Sequence, residues 1–382
     1  MGGFALFLAI VCNCPQVYAY SETGEKINQG SMLTGAISRS LAREDRLLLH
    51  GLDRSQDRIT LTVANELPED EYLDQISLYR IPATQATEIA YGPQGQLFQL
   101  KKIQPPLSAS HHHGRSVLSQ LQAEDQEVYS FDAPALPEEL SSVHLTFARG
   151  QAIKRAHLVV QARQTDWMLA MGEQFFQSLG KAYPRWQARM DQVDPAQYAQ
   201  NTAERGMSLN AYVKTAQGWQ WAGAFHNAGN RQAKRMALEL DLSQVEGPEV
   251  EIRLAGAYRF WELDAVGLSP ELSPLALGPK VPLLNAYNEL GEDVRDLIME
   301  QDASHTVLPN QGSFVDLEFD NPAAKDESYV LSVQGYYHHV REQEHPADRH
   351  TLRWLKSDPI TTHQWSYTLY QVQALNASID AK

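Results

Sequence analysis

The sequence predicts a mainly β protein of two tandem antiparallel β-sandwich-like units with short connecting helices. Three observations lead there: an internal repeat, short segments with apolar residues at every second position, and turn residues at the intervals of a sandwich. The repeat is the strongest. Pro105, Ala109, Gly114, Val117, Leu121 and Asp125 return as Pro282, Ala286, Gly291, Val294, Ile298 and Asp302, always 177 residues later (105 to 282, 125 to 302). Val143–Phe147 answers Val315–Phe319, and Ala156–Val160 answers Ser328–Ser332, after one five-residue slip. Upstream, Ile59, Leu61 and Val63 answer Val250, Ile252 and Leu254, and Leu73–Leu78 answers Leu263–Leu268.

From the N-terminus, residues 1–19 read as a signal peptide. Phe4–Val11 is apolar and uncharged, and Val17-Tyr18-Ala19 places small residues where a signal peptidase cuts, so cleavage is expected after Ala19. The run is shorter than the ~20 residues of a spanning helix. Both cysteines, Cys12 and Cys14, fall inside it, which would leave the mature chain without thiol chemistry. The n-region carries no Lys or Arg, unlike the usual signal. The implied address is periplasmic or secreted, with no transmembrane segment in the mature chain.

Residues 20–167 form the first expected unit. Ile59–Val63 and Val143–Phe147 alternate as half-buried strands do, while Val117 and Leu121 have helical spacing. Gly92-Pro93 and Pro105-Pro106 separate the pieces. Residues 168–245 have no partner in the repeat. There Met168, Met171, Phe175, Phe176 and Leu179 make an apolar helical stripe ended by Gly180, and Leu209–Val213 and Met236–Leu240 read as strands around Trp219-Gln220-Trp221. Residues 246–340 form the second unit, and 341–382 a C-terminal tail with a final strand at Trp365–Val372.

Composition narrows the function classes. The apolar fraction of 43% and charged fraction of 21% are those of an ordinary packed protein. With 47 acidic against 32 basic residues the net charge is −15, which repels phosphate backbones and argues against nucleic acid and anionic membrane surfaces as partners. There is no G-x-S-x-G elbow, P-loop, Rossmann fingerprint or EF-hand loop, and no cofactor is expected.

Asn65–Leu78 (NELPEDEYLDQISL), Pro105–Ala109 with Gly114, Val250–Leu268 (VEIRLAGAYRFWELDAVGL) and Tyr329–Tyr337 (YVLSVQGYY), in that order, resemble a β-rich region of bacterial exported proteins found beside ASPIC/UnbV-type β-propeller or tetratricopeptide repeats. The resemblance covers most of residues 45–340 and implies a β-rich module with no assigned activity. Neither companion repeat is visible in this sequence.

Three constellations could carry chemistry. His111-His112-His113 are consecutive in a Ser-rich loop, where three side chains do not converge on one metal without distortion. His338, His339, His345 and His350, with His363, are metal candidates without a recognised ligand spacing. Glu69-Asp70-Glu71 and Glu262 with Asp264 offer carboxylates for glycan chemistry, although acids near strand ends are commonly solvated. The favoured ligand surface is aromatic: Trp219, Trp221, Tyr258 and Trp261, with Glu262 and Asp264 to accept hydrogen bonds from sugar hydroxyls. The competing reading of these rings is core packing. Together these features point to an exported, non-enzymatic binding or structural protein of the cell envelope whose ligand is a glycan or another envelope protein. A carboxylate-using glycan hydrolase or lyase and a periplasmic metal-binding protein are the alternatives.

Overall fold

The computed structural model describes residues 15–21, 23–52, 57–85, 89–133, 139–150, 153–226, 228–302, 304–321 and 327–380. The strands arrive in four blocks. The first holds β1 (Gln16–Tyr20), β2 (Lys26–Ser31), β3 (Arg43–Leu49), β4 (Arg58–Ala64) and β5 (Glu69–Pro82). Two short strands, β6 (Ile89–Tyr91) and β7 (Leu97–Leu100), lead to the second block: β8 (Ser108–His111), β9 (Tyr129–Ser130), β10 (Ser141–Ala148) and β11 (Arg155–Gln164). Helices α1 (Asp166–Leu179), α2 (Tyr183–Met190) and α3 (Pro195–Glu204) follow. The third block is β12 (Leu209–Thr215), β13 (Gly218–Phe225), β14 (Lys234–Asp241), β15 (Glu249–Gly256) and β16 (Trp261–Ser269). After β17 (Leu272–Pro274) and β18 (Lys280–Val281), the fourth contains β19 (Leu283–Asn288), β20 (Thr306–Leu308), β21 (Phe314–Asp320) and β22 (Glu327–His339). Helices α4 (Arg349–Ser357) and α5 (Thr361–Asp380) end the described chain.

Four sheets result, and they match in pairs. One runs β2-β1-β4-β21-β19, and its counterpart runs β13-β12-β15-β10-β8. The second pair runs β3-β22-β5, with β18 and β20 also on β5, and β14-β11-β16-β9, extended past β14 by β6, β7 and β17. All neighbours are antiparallel except β6 and β14. The first and fourth blocks therefore make an outer unit, and the second and third make an inner unit lying within it in sequence.

The repeat is real at the level of single hydrogen bonds, but its halves cross. Gly114 N–H donates to His111 O (2.8 Å) as Gly291 N–H does to Asn288 O (2.9 Å), both glycines having positive φ. Val266 N–H donates to Leu121 O, and Ile76 N–H to Ile298 O, each at 2.9 Å. The side chain of Asp264 accepts from the backbone at Asp125, and that of Asp74 from the backbone at Asp302. In every crossing bond, one partner comes from each half of the chain. Phe147 faces Val250 across β10 and β15, and Phe319 faces Ile59 across β21 and β4, with both rings fully buried.

The spans 20–167 and 246–340 therefore do not close as separate units: β4 pairs with β21, and β10 with β15. Residues 168–245 are also more than an addition, since β12, β13 and β14 take the places that β1, β2 and β3 take in the outer unit. What that segment adds is the helices.

Strand β1 spans the expected signal boundary. It lies between β2 and β4, with Val17 and Ala19 at 0% exposure, so a cut after Ala19 would remove four of its five residues from the middle of a sheet. Residues 1–14, which hold the apolar run and both cysteines, lie outside the described residues.

The two sheets of each unit stack closely at a glycine. The β1/β2 ladder bulges after Val17, opposite Gly30 (φ 116°), and the β12/β13 ladder bulges after Ala211, opposite Gly223 (φ 140°). A Cβ on Gly30 would sit 3.7 Å from Leu47 of β3, and one on Gly223 would sit 2.9 Å from Leu238 of β14. Positive φ favours glycine at both positions, and close approach adds to this at Gly223. One hydrophobic cluster then runs through both units and the helices.

Helix α1 follows its sequence pattern. Thr165 caps it by accepting Met168 N–H (3.1 Å), and Met168, Met171, Phe175, Phe176 and Leu179 are all buried. The tail departs from expectation. Residues 365–372 belong to helix α5, not to a strand, although their apolar residues alternate. Docking decides this. Trp167 Nε1 donates to Ser366 Oγ (2.8 Å), which donates to Tyr258 O (2.7 Å), while Tyr367 and Tyr370 pack edge-on against Tyr258.

Candidate functional site

The favoured aromatic set divides in two. Trp261 is fully buried and spends its indole N–H on Met207 O (2.9 Å). Tyr258 is buried under α5, between the rings of Tyr367 and Tyr370. Asp264 is buried and holds a turn through the N–H groups of Asp125 and Gln126. Glu262 is tied to Arg163 (2.7 Å) and accepts from Ser130 Oγ (3.4 Å). None of these four joins a ligand surface with Trp219 and Trp221.

Trp219 and Trp221 lie on the solvent side of the inner unit's β13-β12-β15-β10-β8 sheet. Alternation puts them there: Ala211, Val213, Val250, Ile252, Leu254, Val143 and Leu145 are buried beneath, so the intervening residues face outward. Tyr212 stands opposite Trp221, Lys214 opposite Trp219, Arg253 opposite Tyr212, and His144 opposite Arg253. Trp221 is 60% exposed, with its indole N–H fixed to Asn210 Oδ1 (3.1 Å). The Arg253 guanidinium lies over the rings of Tyr212 (4.4 Å) and Trp219 (5.3 Å), and the His144 ring meets Trp219 edge-on at 5.5 Å.

The charges on this face are unequally matched. Lys214 is paired with Glu251 at 2.8 Å, whereas Arg253 is held by rings and has no carboxylate within 4 Å among the described residues. Burial, with Arg253 and His112 adding to it, lowers the His144 pKa, so the imidazole is neutral at pH 7. The arrangement is a fixed indole beside a cation and neutral hydrogen-bonding groups, all reachable from solvent.

The sequence reading missed Tyr212, Lys214, Arg253 and His144 as members of this site. Period-2 alternation marks each as outward on its own strand. Their adjacency needs β10, from the first half, to pair with β15, from the second.

The histidines have separate tasks. His338 Nε2 contacts Asp191 Oδ1 (2.8 Å), and His339 Nδ1 contacts Glu69 Oε1 (2.8 Å) with both side chains fully buried. His345 bonds Gln343, His350 opens α4, and His363 accepts Tyr258 N–H (3.1 Å). In the first cluster, His111 Nδ1 accepts His113 N–H (3.0 Å) within the tight turn that Gly114 closes. Among the described residues no three His, Cys, Asp or Glu side chains are grouped to hold a metal ion. Glu69 and Glu71 are fully buried on β5, not solvated as strand-end acids usually are.

No protein-family model matches the chain, and no curated protein matches it. No helix among the described residues is long and apolar enough to cross a membrane.

Proposed function

We propose that this is a glycan-binding protein of the cell envelope and that the outward face of the β13-β12-β15-β10-β8 sheet is its binding surface. The observation that carries the reading is the exposed, hydrogen-bond-fixed ring of Trp221 beside the Arg253–Trp219–Tyr212 stack. A flat ring held in place loses little entropy on stacking against the apolar face of a sugar. Arg253 adds a guanidinium fork suited to a carboxylate or to paired hydroxyls on the same chain. Export is part of the proposal and rests on the apolar run at residues 4–11, and the pairing of β1 with β4 favours processing before Gln16.

A soluble glycan array tests the binding reading. At least one glycan should bind, with affinity falling tenfold or more in Trp221→Ala and Arg253→Ala while both variants keep the parent's far-UV circular dichroism spectrum. Absence of any glycan ligand, or equal binding by Trp221→Ala, would overturn it. The mass of the protein recovered from the envelope tests export: a mature start between residues 2 and 16 is expected, and retention of Met1 would remove that part.

A further inference from the structure

A cavity of about 440 Å³ lies where β3 of the outer unit faces β14 of the inner one, bordered by α1, α3 and the Gly92–Gly95 turn. Its size is that of a small-molecule site, and its wall is unusual for a junction between packed units. Arg43 and Asp45 make a two-point ion pair there (3.0 and 3.1 Å), with 28% and 14% of their side chains still exposed. Lys234 enters from β14. Its ammonium has a single acceptor, the carbonyl of Ser31 at 3.4 Å, and no carboxylate within 4 Å among the described residues. Arg46, also on the wall, is already paired with Glu44. The cavity thus holds one more positive charge than its own carboxylate neutralises.

An ammonium surrounded by protein without a counter-charge is costly. Burial lowers the Lys234 pKa, Arg43 adds to this, and Asp45 opposes it. The neighbouring polar groups are neutral. The Ser208 hydroxyl and His226 Nδ1 are 2.7 Å apart, and burial with Arg43 pushes the His226 pKa down to about 4. Tyr198 brings a phenol whose pKa burial raises. Leu41, Met168, Met207 and Met236 supply apolar wall between them.

We propose that this cavity binds a small hydroxylated carboxylic acid, its carboxylate bridging Lys234 and the Arg43 guanidinium and its hydroxyls meeting Tyr198, Ser208 and His226. One unneutralised cation fits a monoanion; a dianion would bring a second negative charge with no cation to meet it. The acid is carried between the two units, away from the open sheet face, so the inference stands apart from the glycan reading.

Calorimetric titration of the full chain tests it, with glucuronate as the monoanionic probe, glucose as its neutral counterpart and sulfate as the dianion. Glucuronate should bind at one site per chain, at least tenfold more tightly than glucose or sulfate. Lys234→Met should lose at least tenfold in glucuronate affinity, Lys234→Arg should recover part of it, and Trp221→Ala should leave it unchanged. Should Lys234→Met fold poorly, Tyr198→Phe serves as the second variant, with an expected loss of about threefold. No binding of glucuronate, equal binding of glucose, or loss of binding in Trp221→Ala would each overturn the proposal.

Discussion

The outward faces of the two five-stranded sheets occupy the same place in a duplicated scaffold and carry different chemistry. In the inner unit, Tyr212 is flanked by Trp221, Arg253 and His144. In the outer unit, the same positions around Tyr18 hold Asn28, Thr62 and Asp316. The bulge is kept, with Gly30 where the other copy has Gly223, and so are the buried positions beneath. The tyrosine also has another role: Tyr18 lies under Lys26 (4.1 Å) and bonds Glu66, whereas Tyr212 lies under Arg253. Packing has fixed one set of positions in both copies and left the other set free to diverge. The copy that gained tryptophan and arginine is the candidate for binding.

The comparison breaks first at β1. A chain beginning at Ser21 should lose cooperative unfolding altogether, seen as loss of the near-UV circular dichroism signal, because β1 is as central to its sheet as β12 is to its own. Retention of a sharp melt would show that the outer unit tolerates losing the strand.

Next come the equivalent core rings. Phe147→Ala and Phe319→Ala should each cost about 3–5 kcal/mol in urea unfolding, since each opens a cavity at the same position of a matching sheet. A difference above about 2 kcal/mol would mean that the two cores are packed differently.

Acid should weaken the inner unit and the docking of α5 on it. Burial lowers the pKa of His226 and of His363 to about 4, from an ordinary value of 6.5. Between these values the unfolded chain binds protons that the native protein does not, so stability falls as pH drops from about 6.5 to about 4, by on the order of 3 kcal/mol for each group. Stability measured at pH 7 and pH 5 should therefore differ less in His363→Phe than in the parent chain.

Smaller still is the matched turn. Asp264→Ala and Asp74→Ala each remove a carboxylate that accepts backbone N–H groups, and each should cost about 1–3 kcal/mol. At the bottom, Trp221→Ala and Asn28→Ala should each cost about 1 kcal/mol in stability, since the first leaves buried Asn210 Oδ1 without its donor and the second removes the acceptor of Gly30 N–H. Only the first should change glycan binding, and equal effects on binding would remove the functional difference between the faces.

How much of this was legible in the sequence depended on range. Alternation identified β4, β10, β15 and β21 with their inward residues, and the spacing of Met168, Phe175 and Leu179 identified α1, because these patterns follow from one strand or one helix burying one side. It failed at Trp365–Val372, where an alternating segment became a helix because Tyr258 and Trp167 offered it a docking surface. It left Trp261 and Trp221 undivided between core and surface, and the structure buries the first and exposes the second.

By itself, the sequence determined the repeat, its strands and which side of each strand is apolar. The tertiary structure alone decided which copy supplies each edge. Duplicated strands present the same edge and the same register, so β4 and β15 are equally suited to β10 or β21, and local pattern cannot choose between them. That choice brought His144 beside Arg253, and the packing of one unit on the other brought Arg43 toward Lys234. Both candidate sites are made of residues that are far apart in the chain, and only the packing of the whole molecule places them together.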